Sequence, residues 1–135
     1  MKKHACRTYF LVVGDFDPKA FCRALGVTPT RTVRRGEPQG ERGIPAPADM
    51  AEIGYNDRYR VDVNEMIRKT LAELADKTAL LDELRRRHAL SYYLEIVPEI
   101  ASGSDEPCPI LSLDPDIVEF LYRTGAQHDL DYYVY

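Results

Sequence analysis

Three arginines beside a glycine-rich segment form the clearest candidate binding cluster in this sequence of 135 residues. Arg31, Arg34 and Arg35 are followed directly by Gly36 and Glu37, and a run rich in glycine and proline comes next. Arginine guanidinium groups bind carboxylates and phosphates through paired hydrogen bonds. The cluster therefore predicts a site for a small anionic ligand, closed by the segment that follows. The alternative interpretation is that the arginines pair with acidic residues in the last third of the chain.

Asp129, Asp131 and Tyr133 form the second candidate group. They alternate along the predicted last strand, so they share one of its faces. Two carboxylates about 7 Å apart could hold a metal ion or act as general acid and base. More often such residues are the solvated face of an edge strand. We predict a binding role for these three residues and assign no catalytic residue, no metal and no cofactor.

Motifs that would identify a particular chemistry are absent from the sequence. It has neither the lysine-containing phosphate loop nor G-x-G-x-x-G, and neither G-x-S-x-G nor H-E-x-x-H. The three histidines, His4, His88 and His128, match no metal-ligand spacing. The three cysteines are odd in number and far apart, which argues against a disulfide framework and predicts a reducing, cytoplasmic location.

Charge is distributed unevenly along the chain. Residues 1–44 carry a net charge of +5, residues 45–88 carry −1 and residues 89–135 carry −8, which sum to −4. The basic and acidic thirds either neutralise each other within the fold or leave an acidic end suited to a positively charged protein partner. The net negative charge, with tyrosines placed among acidic residues, argues against nucleic-acid binding. No apolar run is long enough to span a membrane.

Two segments carry the start and stop signals of a short helix. Residues 17–26 and 114–125 both begin with Asp-Pro and end with Gly. The aspartate is expected to accept hydrogen bonds from the first turn, proline fits the first helical position, and glycine ends the helix in a left-handed conformation. An apolar run, residues 9–13 and 110–113, precedes each segment as a predicted strand, and a second strand-like segment, residues 28–35 and 128–135, follows it. These patterns predict two strand–helix–strand units.

The region between the two units predicts one loop, one strand and one long helix. Residues 36–50 form a flexible loop, residues 52–63 alternate as a half-buried strand, and residues 62–88 have helical periodicity, with a break near Asp76 and Lys77 left open. We predict a single domain over residues 1–135 with an α+β fold. It has a mixed, mostly antiparallel sheet with helices packed on one face, and its two strand–helix–strand units are joined by the long helix.

Several motifs of caps, turns and core positions extend over nearly the whole chain. They are Phe10-x-x-x-Gly14-Asp15-Phe16-Asp17-Pro18, Leu25-Gly26-Val27-Thr28-Pro29-Thr30-Arg31, Arg35-Gly36-Glu37, Leu111-Ser112-Leu113, Thr124-Gly125-Ala126 and Leu130-Asp131-Tyr132-Tyr133. With them the sequence resembles the domain-of-unknown-function family numbered 4279, whose members are uncharacterised bacterial proteins. A tryptophan often follows the glycine-rich loop in that family, and this chain has none. The resemblance implies a small bacterial cytoplasmic protein and carries no activity with it.

The leading functional hypothesis is a non-enzymatic protein-interaction or immunity-type factor with an unidentified protein partner. It rests on the acidic, tyrosine-rich end, the predicted loop and the lack of a catalytic motif. A homodimer formed through an exposed sheet edge or face is left open. The alternative is a small anionic-ligand binder or enzyme that uses the arginine cluster.

Overall fold

The computed structural model describes residues 3–59, 62–109 and 111–135. The elements in chain order are β1 (Ala5–Gly14), α1 (Pro18–Leu25), β2 (Arg31–Val33), β3 (Pro38–Gln39), β4 (Ile44–Pro45), β5 (Asp49–Tyr59), α2 (Val63–Thr70), α3 (Thr78–His88), β6 (Ser91–Ile100), α4 (Pro115–Thr124), β7 (Gln127–Leu130) and β8 (Tyr133–Val134). None of the described helices is long and apolar enough to cross a bilayer.

The main sheet has the strand order β2-β5-β1-β6-β7, with β8 also beside β6. Neighbouring strands from β2 to β6 are antiparallel, whereas β7 and β8 run parallel to β6. Asp129 lies opposite Glu95 and Tyr133 opposite Glu99, so both short strands keep the same register along β6. Residues 127–135 therefore form one continuous segment at the sheet edge, here called the edge segment. The predicted mixed, mostly antiparallel sheet is confirmed.

One face of the sheet packs against the helices and contains the main apolar core. From β1, Cys6, Phe10 and Val12 enter this core together with apolar residues of β5, β6 and all four helices. The ring of Phe10 lies 5.4 Å from that of Tyr92 and 6.0 Å from that of Phe120, measured between ring centroids. The α+β arrangement with helices on one face is confirmed.

The two predicted helix signals end alike but begin differently. Asp17 accepts hydrogen bonds from the N–H groups of Lys19 and Ala20, as a helix cap should. Gly26 and Gly125 both adopt the left-handed conformation after their helices. The carboxylate of Asp114, however, makes no cap hydrogen bond and pairs with Arg68 of α2. The predicted cap at α4 is therefore wrong, because a guanidinium outcompetes the backbone for this carboxylate.

The segment predicted as one long helix is divided into α2 and α3 by a turn that begins after Thr70. The Thr70 hydroxyl group is buried and lies 2.8 Å from that of Thr8, and it donates to the carbonyl oxygen of Gly54 at 2.7 Å. A Cβ atom on Gly54 would lie 2.2 Å from the carbonyl oxygen of Thr70. Glycine at this position therefore lets β5 approach the end of α2, where the sheet register also shifts opposite Tyr9.

Three predicted segments differ from the structure in detail. The strand predicted over residues 28–35 is reduced to Arg31–Val33. The predicted loop of residues 36–50 contains the small antiparallel hairpin β3–β4, and its flexibility stays a prediction. Residues 111–113, predicted as a strand, are not one, and Ile110 lies outside the described residues. The strand that precedes α4 is therefore β6. For the predicted strand 52–63, Arg60 and Val61 also lie outside the described residues.

Candidate functional site

The sheet face opposite the helices, here called the open face, carries most of the predicted binding residues. Strand register places on it Arg31 of β2, Glu52 of β5, Tyr9 of β1, Glu95 of β6 and Asp129 of β7. None of these side chains belongs to the main apolar core. No helix in the described part of the chain packs on this face, and its side chains range from exposed, at Asp129, to largely buried, at Glu95.

Arg31 and Arg34 are paired with carboxylates of the first half of the chain. The Nε atom of Arg31 lies 3.4 Å from a carboxylate oxygen of Glu52. The Nε atom of Arg34 lies 3.4 Å from a carboxylate oxygen of Asp49, and a terminal nitrogen lies 3.7 Å from Asp17. The interpretation that these arginines pair with the acidic last third of the chain is therefore wrong, because their carboxylate partners lie in the first half.

Asp49, which is only 3 % exposed, holds the backbone of the turn that contains Arg34 and Arg35. Its carboxylate accepts hydrogen bonds from the N–H groups of Arg35 at 2.8 Å and Phe16 at 3.1 Å. The bond from Arg35 is the main cause that lowers the pKa of Asp49, and the bond from Phe16 and the charge of Arg34 add to it. Glu37 accepts from the N–H of Arg34 at 2.9 Å. The arginine cluster predicted to bind an anion therefore has a structural role, because the backbone N–H groups of Arg34 and Arg35 hold the turn.

A hollow of about 450 Å³ lies beside this end of the open face. Tyr9 and Tyr55 both line it, and their rings stack on each other with centroids 6.1 Å apart. Arg7 lines the hollow, and its Nε atom lies 3.5 Å from a carboxylate oxygen of Glu99. Because Glu52 also lines it, the hollow combines both signs of charge and is not specialised for an anion.

Asp129, Asp131 and Tyr133 lie at the other end of the open face, on the edge segment. Arg31 is on the opposite edge strand, so β5, β1 and β6 separate the two predicted groups. Four strand spacings amount to roughly 19 Å. The structure therefore does not bring the predicted binding residues together in one site. Tyr133 donates a hydrogen bond from its hydroxyl group to Asp131 at 3.2 Å, and this bond raises the pKa of the tyrosine.

Glu95 is the residue of this site that sequence reasoning missed. It lies on β6 directly opposite Asp129 and is 8 % exposed. Burial raises its pKa to about 7, and the hydrogen bond to Asp129 and the charges of Asp129 and Asp131 act in the same direction. The available signal was its place on the open side of a strand whose alternate residues are core. We call Glu95, Asp129, Asp131 and Tyr133 the acidic patch.

Two of the cysteines and one histidine have structural surroundings in the described part of the chain. Cys6 and Cys22 are buried, and burial raises the pKa of each thiol to about 11, which makes them poor nucleophiles. His4 is held by Ala101, whose N–H donates to Nδ1, and by the carbonyl oxygen of Glu106 near Nε2. Within residues 3–59, 62–109 and 111–135, no three His, Cys, Asp or Glu side chains are arranged to hold a metal ion.

The hollow between α2, α3 and α4 has a volume of about 410 Å³ and is lined by charges that neutralise each other. Arg68 donates to both carboxylate oxygens of Asp116 at 3.0 Å. These bonds lower the pKa of Asp116. Arg123 pairs with Glu119 one turn away. Since each charge already has a partner, this hollow offers less to a charged ligand than the acidic patch does.

Comparison with known proteins identifies the family but no activity. The family model described as Domain of unknown function (DUF4279) matches residues 4–135. No curated protein and no solved structure matches the chain. Because the match extends over nearly the whole sequence, the chain belongs to this family.

Proposed function

We propose that this member of the DUF4279 family is a non-enzymatic protein-interaction factor that binds a basic protein partner through the acidic patch. The proposal places it in the cytoplasm of a bacterium, as an immunity-type or accessory protein. Its three cysteines are unpaired, which suits a reducing compartment. The resemblance to uncharacterised bacterial proteins suggests the bacterial origin.

The observation that carries the proposal is a group of carboxylates without a cation. Among the described residues, no Lys, Arg or His lies within ion-pair distance of Glu95, Asp129 or Asp131, whereas Asp17, Asp49 and Glu52 each have an arginine. A lysine or arginine of a partner would supply the missing charge and displace the proton that Glu95 holds near neutral pH. Binding would then relieve an unfavourable arrangement that the free protein contains.

The surroundings of the patch suit a protein partner. Tyr133 is exposed beside the carboxylates, and Tyr132 is exposed on the other side of the same segment. Tyrosine is enriched at protein interfaces, where a large ring and a hydroxyl group both make contacts. A concentrated negative charge also speeds encounter with a basic protein. An immunity-type factor would use such a surface to cover the basic active region of a toxic partner.

The alternative function, binding or conversion of a small anion at the arginine cluster, has less support. Arg31 and Arg34 are paired with carboxylates, and Arg35 holds Asp49 through its backbone N–H. An anionic ligand would have to displace these carboxylates before it could bind the guanidinium groups of Arg31 and Arg34. No observation in the described part of the structure favours that exchange.

The experiment is affinity capture from a lysate of the source organism at low salt, followed by mass spectrometry. The wild type is compared with Asp129→Lys/Asp131→Lys and with the matched control Arg31→Ala/Arg35→Ala, after thermal melting has shown that both variants are folded. We expect one stoichiometric basic protein with the wild type and the control, and about tenfold weaker binding or more with the charge reversal. Equal capture by the charge reversal, or loss only in the arginine control, would contradict the proposal.

A further inference from the structure

The edge segment presents a row of backbone groups that no described strand uses. The N–H of Asp131 donates to the carbonyl oxygen of Ile96 at 3.0 Å, and that of Tyr135 donates to Ile100 at 2.9 Å. Because alternate residues of a strand direct their N–H and C=O groups to opposite sides, those of Leu130, Tyr132 and Val134 point away from β6. Within the described ranges, β6 is the only strand that pairs with this segment. Its outer side is therefore open to a further strand.

The two flanks of this edge differ in chemistry. Asp129 and Asp131 project on the open face, beside Glu95. Leu130, Tyr132 and Val134 project on the helix side, where they are 43 %, 61 % and 62 % exposed. A strand added to the outer side would have its side chains alternate between an acidic flank and an apolar flank.

A shallow hollow extends the apolar flank onto the outer surface of α4. It has a volume of about 400 Å³, and the residues that line it include Leu113, Val118, Leu121, Tyr122 and His128. Val118 and Tyr122 are both exposed there. An apolar side chain from an added strand would contact apolar residues at this position.

We propose that the partner binds by β-strand addition to residues 127–135, through an extended segment in which basic and apolar residues alternate. This inference rests on the proposed function and specifies the partner segment. Its basic residues lie over Asp129 and Asp131, its apolar residues lie against Leu130, Tyr132 and Val134, and its backbone pairs with the outward N–H and C=O groups. The opposite edge strand, β2, has only three residues and offers no comparable template.

A second copy of this chain fits the same edge less well. Two edges paired antiparallel about a twofold axis at the centre of the segment would place Asp131 of one copy opposite Asp131 of the other. Like charges in directly opposed strand positions destabilise the pairing. Charge complementarity therefore selects a basic segment of another protein as the occupant.

The test uses two synthetic peptides of identical composition, one with lysine and valine alternating and one with all its lysines before all its valines. Binding is followed by amide hydrogen exchange on the wild-type protein. The alternating peptide is expected to slow exchange of the N–H groups of Leu130, Tyr132 and Val134 about tenfold or more. The block peptide, which cannot match the two flanks, is expected to slow it much less.

A pair of variants separates strand addition from charge attraction alone. Tyr132→Pro removes an outward N–H at an edge position that tolerates proline, whereas Tyr132→Ala removes the ring and keeps the N–H. Both variants lack the ring, so the alternating peptide should bind Tyr132→Pro about tenfold or more weakly than Tyr132→Ala, with the melting temperatures of both variants recorded.

Equal binding of both peptides, lost only in Asp129→Lys/Asp131→Lys, would overturn strand addition and leave the proposed function intact. Absence of exchange protection with either peptide would also overturn it, while capture of a basic protein from lysate still tests the proposed function. A dimer that forms without peptide and dissociates in Tyr132→Pro would show that the edge belongs to a second copy.

Discussion

The two strand–helix–strand units share their helix signals but differ in where the returning strand lies. In the first unit, β5 is inserted between β1 and β2, and β2 is only three residues long. In the second unit, the chain returns from α4 directly beside β6 and stays there from residue 127 to 135. The first unit ends in a short edge strand, and the second ends in a long edge segment.

The charges of the two units differ in the same way. Arg31 and Arg34, which follow α1, pair with Asp17, Asp49 and Glu52. The acids that follow α4 have no cation among the described residues, and Glu95 beside them is buried. The first unit thus has two of its arginines paired with carboxylates, whereas the second, as far as the structure describes it, has carboxylates without a paired cation. The comparison distinguishes a region with a structural role from the surface that we propose as the binding site.

Loss of a core aromatic ring should have the largest effect on stability, and a similar one in both units. Phe21 of α1 and Phe120 of α4 are each 6 % exposed and lie in the same apolar core. Phe21→Ala and Phe120→Ala should each lower the free energy of unfolding by about 3–5 kcal/mol, measured by urea denaturation. A cost below about 1 kcal/mol for Phe120 alone would mean that α4 is peripheral and that the two units are not structurally equivalent.

The protein should become less stable as the pH rises, because Glu95 in the second unit then loses its proton. Its folded-state pKa is about 7, above its ordinary value of 4.5, so the folded protein holds the proton more tightly than the unfolded chain. Stability from this group is therefore greatest below pH 4.5 and falls as the pH rises to 7. Glu95→Gln, which removes the titration, should raise the free energy of unfolding at pH values above 7 by about 1–3 kcal/mol.

The matched control for this change is Glu52→Gln in the first unit. Glu52 is paired with Arg31, so its replacement should not stabilise the protein at any pH. Urea denaturation of the three proteins over a series of pH values measures both effects. If Glu95→Gln were no more stable than the wild type above neutral pH, the acidic patch would not contain the unfavourable charge on which the proposed function depends.

The glycines that end α1 and α4 provide the smallest and most local comparison. Both have positive φ, so alanine at either position should cost about 1 kcal/mol. A Cβ atom at Gly26 meets nothing within 4 Å, whereas one at Gly125 would lie 2.4 Å from the guanidinium of Arg85, which donates to the carbonyl oxygen of Thr124. Gly125→Ala should therefore lower the melting temperature more than Gly26→Ala, and equal shifts would mean that Arg85 moves aside without loss.

Local signals predict the parts of this fold that local contacts decide. The ends of α1 and the end of α4 follow from proline and glycine positions, and the alternation of residues 52–63 predicts a strand that overlaps most of β5. Asp114 could not be assigned in the same way, because its partner Arg68 is 46 residues away in the chain. The division between α2 and α3 likewise accompanies contacts of Thr70 with Thr8 and Gly54, which only the assembled sheet brings together.

Residues of the candidate site could be predicted from the sequence, but their arrangement in the sheet could not. Asp129, Asp131 and Tyr133 do share one face at a sheet edge, as alternation along a strand requires. Their separation from Arg31 depends on the strand order, which the sequence pattern does not contain. The part played by Glu95 depends on the parallel register that sets it opposite Asp129. A pairing between residues so distant in the chain follows from the whole sheet and not from either segment.

The central position of β1 has a consequence for how the chain folds during synthesis. Val13 lies opposite Ser91 and Ala5 opposite Glu99, so β1 acquires its second neighbouring strand only when β6 has left the ribosome. At roughly 5–20 residues per second, that delay lasts several seconds. Throughout it, Phe10 and Val12 lack the neighbours that β6 supplies, and the nascent chain exposes an apolar segment to other unfolded chains. Contacts between residues so far apart also slow folding. We therefore expect a nascent chain that stops before residue 91 to need a chaperone. A chain that continues through β6 can begin to bury Phe10 and Val12.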